Sequence, residues 1–122
     1  MCSISVNETA NNKLRDLKYS GVKHLEKKLF NLAKEADESN PGILDHPSCH
    51  FKRMPSELRE ARKKEIGRHR VYYTGFHKQC SYAVFFIKEF KKDGVEEEDD
   101  KIFQKKLVKA LSAGTLRQLK ED

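Results

Sequence analysis

Arg68 and Arg70 stand at alternate positions and run straight into Val71-Tyr72-Tyr73, a β-branched and aromatic segment. Side chains two apart in a strand share a face, so the spacing predicts that both guanidiniums project together from a sheet. Each guanidinium is a planar fork of donors that fits a phosphate, and the pair reads as an anchor for a phosphodiester backbone. The surrounding charge agrees. From Lys52 to Lys78 there are nine basic residues against three acids, an excess equal to the +6 of the whole 122-residue chain. Such a block is the electrostatic footprint of a polyanionic partner, although a solvated surface accounts for the charge equally well.

Holding those arginines in place requires a scaffold. The chain, residues 1–122, has the length of one domain with one core. Ile4 and Val6 alternate with polar neighbours as a short strand. Residues 9–18 carry Leu14 and Leu17 on a helical stripe. After the break at Tyr19-Ser20-Gly21, a second stripe runs through Val22, Leu25, Leu29, Leu32, Ala33 and Ala36. Two such helices joined by a short turn form an antiparallel hairpin. Asn40-Pro41-Gly42 and His46-Pro47 mark a loop to about Pro55. Strands are expected at 57–66, 69–76 and 81–90, with turns near 66–68 and 76–79. The last of the three is apolar almost throughout, as a central strand covered on both faces would be. The acidic run Glu96–Asp100 supplies a cap for a helix from Lys101 to about Ala113. That helix has Ile102, Phe103, Leu107, Ala110 and Leu111 on one side and Gly114 at its end. The tail from Thr115 to Asp122 reads as frayed. The predicted fold class is α+β, in the order β-α-α-β-β-β-α, with an antiparallel-dominated sheet, an N-terminal helical hairpin and a C-terminal helix.

In this order of elements the chain resembles the RelE/ParE superfamily of bacterial toxins, and in particular the ribonuclease branch that includes RelE, HigB and YhaV. Three stretches carry the resemblance: the Lys-rich hairpin from Leu14-Arg15-Asp16-Leu17 through Lys27-Lys28-Leu29, the basic strand, turn and strand from Arg62 to Tyr73, and Ile87-Lys88-Glu89-Phe90-Lys91-Lys92 before the terminal helix. The resemblance implies the toxin of a type II toxin-antitoxin system. It would be an endoribonuclease that cleaves mRNA, commonly on the ribosome, and is restrained by an acidic antitoxin. Cleavage proceeds by attack of a ribose 2′-OH on the adjacent phosphate and leaves a 2′,3′-cyclic end. By matching position, Arg70 would stabilise the phosphate charge, and Lys91 and Lys92 would add phosphate contacts. Lys63 or Lys64 would act as the base, its proton affinity lowered by neighbouring cations. The family spacing of seven residues favours Lys63, with the register open. Arg62, Arg68, His69, Tyr72 and Lys88 would bind RNA. No cofactor is expected. The family's tyrosine near the C-terminal end has no counterpart, since the last tyrosine is Tyr82; stacking and proton transfer then fall to Tyr72, Tyr73 or His69.

Two other classes remain open. A ParE-like gyrase inhibitor would share the fold and act by binding a protein, and a non-catalytic RNA-binding module would use the same basic face, with Tyr72 and Phe76 as its exposed aromatics. A hydrolase elbow and a phosphate-cradling glycine loop are both absent from the sequence. His46-x-x-Cys49 and His77-x-x-Cys80, with His50 nearby, have metal-ligand spacing. The second pair falls in a turn without a zinc-knuckle glycine, so these residues read as a polar loop and a buried thiol, and no metal is expected. Cys2, Cys49 and Cys80 are odd in number and irregularly spaced, which predicts reduced thiols. With no secretory leader and no membrane-length apolar run, the expected location is the cytoplasm.

Overall fold

A computed structural model describes residues 2–36, 55–76, 80–89 and 100–120. The elements follow the chain as β1 (Ser3–Val6), α1 (Glu8–Tyr19), α2 (Leu25–Glu35), a 3-10 turn (Ser56–Leu58), β2 (Arg62–Ile66), β3 (His69–Phe76), β4 (Ser81–Glu89), α3 (Lys101–Leu111) and β5 (Arg117–Gln118). The fold is α+β, with three helices and a five-stranded, mostly antiparallel sheet in the order β2-β3-β4-β1-β5.

β4 is the middle strand, as its apolar run demands. It pairs antiparallel with β3 and parallel with β1. Where Tyr72 opposes Phe86 and Tyr73 opposes Val84, Phe85 is left as an extra residue, a β-bulge. The bulge turns Phe85 and Phe86 toward the same side, while Val84 and Ile87 serve the other. Two cores result. On one face α1 and α2 cover Ile4, Val6, Val71, Tyr73, Tyr82, Val84 and Ile87. On the other, α3 and the 3-10 turn cover Tyr72 and Phe85 with Leu58, Ala61, Phe103, Leu107 and Ala110.

Local signals set the helix ends. Asn7 caps α1 by accepting from the Ala10 N–H at 3.1 Å, and its own amide donates to the Ala110 carbonyl at 2.6 Å, tying α1 to α3. Asp100, the last residue of the acidic run, caps α3 by accepting from the Ile102 N–H at 2.8 Å.

Several expectations need correction. The strand expected at 57–66 begins only at Arg62, because Leu58 and Ala61, three apart after Pro55, turn together into the α3 core. The second helix starts at Leu25 rather than Val22. Ile102, assigned to the core side of α3, is 68 % exposed. The C-terminal tail is not frayed throughout: β5 pairs with β1, and Leu119, buried, donates its N–H to the Ile4 carbonyl at 2.8 Å. One apolar anchor beside a two-residue strand has no periodicity to read. The cysteines differ from the expected reduced thiols as well. Cys2 and Cys80 form a disulfide, with Cα atoms 4.5 Å apart across 78 residues of sequence. The parallel register Ser3↔Ser81 brings residues 2 and 80 side by side, a juxtaposition that cysteine spacing cannot reveal. The thiol argument for a reducing compartment therefore falls. Among the described residues, no helix is long and apolar enough to cross a membrane.

Candidate functional site

The basic segment folds around a two-residue turn, Gly67-Arg68, with Gly67 at φ 61°. A two-residue hairpin turn needs a positive φ at its first central position, which glycine takes without steric cost. That turn fixes the register: Glu65 opposes Arg70, Lys64 opposes Val71, Lys63 opposes Tyr72 and Arg62 opposes Tyr73. Cross-strand partners share a face. On the other side of β3, Arg70 opposes Lys88 and Tyr72 opposes Phe86. Lys63, Glu65, Arg70 and Lys88 therefore occupy one face, beside the aromatic wall of α3.

Arg70 is the centre of this group. Although charged, it is buried, and its Nη2 donates to Glu65 Oε1 at 2.6 Å. The Glu65 side chain remains 55 % exposed, against 9 % for that of Arg70, so the carboxylate covers the guanidinium from the solvent side. Lys88 Nζ lies 4.3 Å from the centre of the Phe103 ring, a cation–π contact that directs the ammonium along the α3 wall. Chemically, the patch has the groups that could hold an anion: a guanidinium fixed by packing, two lysines on the same face, and one carboxylate against the guanidinium.

The other residues singled out from sequence are dispersed. Arg68 belongs to the turn and is exposed, so it is not the strand partner of Arg70. His69 alternates to the opposite face, buried between Ile66 and Glu89. Burial, with His24 and Lys13 nearby, holds its pKa below the usual histidine value, against the pull of Glu89. Arg62 and Lys64 share that helical face. There Lys64 borders a cavity of about 250 Å³ with Lys28, Leu32 and Ile66. Tyr72, expected to be exposed, is fully buried. Phe85, Phe86 and Phe103 surround it at ring-centre distances of 5.9 to 6.5 Å, so it cannot stack on a base. Tyr73 is buried too, against Tyr82 on the helical side.

Lys91 and Lys92 lie outside the described residues, as do His46, Cys49, His50 and His77. Cys80, the remaining zinc candidate, is held in the disulfide. Glu65 was missed by the sequence reading. Its signal was present, since residues 65 and 70 are equidistant from the Gly67-Arg68 turn.

No protein-family model matches the chain, and neither a curated protein nor a solved structure does.

Proposed function

We propose that the chain is an endoribonuclease of the RelE type, a toxin acting on mRNA at the ribosome in the cytoplasm and restrained by an acidic antitoxin. The observation that carries this reading is the convergence of Lys63, Arg70 and Lys88 on one face of the sheet, next to one carboxylate. Arg70 binds the scissile phosphate and stabilises the charge that develops on it. The phosphate takes the place of the Glu65 carboxylate, which is exposed enough to swing aside. Once displaced, Glu65 is a second candidate beside Lys63 for removing the 2′-OH proton. The pentacoordinate intermediate then expels the 5′-oxygen, which takes its proton from the ammonium of Lys88 opposite Arg70, and the 2′,3′-cyclic phosphate is released.

Burial of Tyr72 favours one competing reading. With that ring unable to stack on a base, a protein-binding inhibitor of the ParE kind would use the fold with Arg70 as a structural ion pair. Purified protein incubated with translated mRNA separates the two. Fragments with cyclic-phosphate ends support the nuclease. Intact RNA accompanied by gyrase inhibition supports the protein-binding reading.

A further inference from the structure

A second cationic surface lies away from the Arg70 face, in a groove of about 800 Å³ between α2 and β5. Arg117 pairs with Val6 and Gln118 with Ser5, so the C-terminal segment runs back toward the start of β1. There the Cys2 N–H reaches the carbonyls of Ala33 and Ala36, so α2 runs the same way. Glu26 meets Arg117 at 2.6 Å at one end of the groove. Phe30 and Asn31, farther along α2, therefore lie beside Gln118 and Lys120 at the other. From Glu26 to Asn31 the helix rises about 8 Å.

The two ends differ in chemistry. At the first, Lys18, Lys23, Lys27 and Arg117 surround one carboxylate. Glu26 engages Lys18 at 2.5 Å and Arg117 at 2.6 Å, and Arg117 also donates to Asn11 at 2.9 Å, so two of the cations are held in a fixed network. Lys23 and Lys27 are exposed and have no ion pair among the described residues. The second end has a ring, two amides and a single cation. Phe30, partly buried, packs against the helical core and lines the groove with the rest of its surface. The amides are those of Asn31 and Gln118, both exposed, and each offers a donor and an acceptor.

We infer that this groove binds a nucleoside triphosphate, with its phosphates on Lys23 and Lys27 beside Arg117 and its base on Phe30. Directly linked phosphates gather charge at one end of a molecule, as four of the five cations gather at one end of the groove. A strand of nucleic acid instead spaces its phosphates one per nucleotide and is held by cations spread along it. An aromatic ring gives a base a face to stack on, and an Asn or Gln amide pairs with the edge of adenine. Tyr19, 88 % exposed, follows Lys18 and stands outside the groove lining. A longer chain leaving the cationic end would meet that ring, whereas a single nucleotide ends before it. The inference is independent of the reading of the Arg70 face.

The test is an NMR titration of the full chain with ATP, adenosine, tripolyphosphate and octauridylate, at about 0.15 M salt to screen diffuse attraction. ATP should shift the amides of Lys27, Asn31 and Gln118 and bind more tightly than adenosine or tripolyphosphate. Combining Lys23→Glu with Lys27→Glu should raise its Kd about tenfold. Phe30→Leu keeps an apolar side chain against the core and removes the ring; it should raise the Kd for ATP about tenfold and leave that for tripolyphosphate unchanged. Asn31→Ala with Gln118→Ala, both at exposed positions, probes the same end without touching the core and should act in the same direction. Arg70→Ala and Tyr19→Ala should bind ATP as the parent does. The inference is overturned if tripolyphosphate binds as tightly as ATP, if Phe30→Leu and the double amide variant both keep full affinity, or if octauridylate displaces ATP at equal concentration.

Discussion

Arg70 and His69 are neighbours on β3 with opposite fates, because alternation sends one to the cationic patch and the other under the helices. Arg70→Ala removes the only guanidinium buried among the described residues, and the RNA cleavage proposed for this face should fall about 10²–10³-fold. The partner it leaves behind, Glu65, is exposed enough to rehydrate, so the fold should survive and a melting curve should stay cooperative. Arg70→Lys should not restore the activity, since an ammonium cannot reproduce the fork of donors. His69 speaks to pH instead. Its folded pKa lies below the unfolded value of about 6.5, so the unfolded chain binds more protons in the interval between the two. The contribution of His69 is complete above about pH 6.5 and is lost as pH falls from there through the folded value. Thermal unfolding at about pH 7 and about pH 5 should show a loss of stability in the parent that is smaller in His69→Gln. Equal losses in both proteins would place the acid sensitivity elsewhere.

At the scale of elements, the strongest periodicities were legible and the irregular joints were not. The stripes of α1, α2 and α3 and the apolar run of β4 each repeat a pattern over nine or more residues, enough for period alone to identify them. The start of β2, the bulge at Phe85 and strand β5 depend on single contacts made far away in sequence, which no local pattern encodes. The patch is half legible: the basic strand and the turn glycine are visible, but the burial of Tyr72 is not, because the rings around it come from the bulged β4 and from α3. The two glycines of β3 and its turn illustrate how context sets cost. At Gly67 a Cβ would meet nothing within 4 Å, leaving only the positive φ to oppose Gly67→Ala, about 1 kcal/mol. Gly75 has φ 155°, and a Cβ there would lie 2.5 Å from the Ser81 carbonyl and 2.8 Å from the Tyr82 ring. Gly75→Ala must push β3 from β4 beside the candidate site's own strand pair, and should cost about 3 kcal/mol. Urea denaturation of the two variants should rank them in that order; the reverse order would mean that the β3–β4 pair yields more easily than the turn.

For the molecule as a whole, β1 is the strand on which closure depends. It joins the hairpin sheet to β5, leads into α1, and sits in the interior of the sheet although it is only four residues long. Its start is secured from three directions. The Cys2 N–H reaches the carbonyls of Ala33 and Ala36 at the end of α2, the Ser3 N–H donates to the Cys80 carbonyl at 2.9 Å, and the disulfide joins Cys2 to Cys80. This covalent link spans 78 residues of sequence and so removes much of the freedom of the unfolded chain, worth about 4 kcal/mol on the loop-entropy account. That is a large share of the roughly 5–15 kcal/mol that stabilises an ordinary domain. Urea unfolding with and without dithiothreitol should therefore separate the oxidised parent from the reduced one by several kcal/mol. Cys2→Ser should match the reduced parent and ignore the reductant. If the parent unfolds at the same urea concentration in both conditions, the bond contributes nothing to stability, and β1 is held by its backbone ladder and the core beneath it alone.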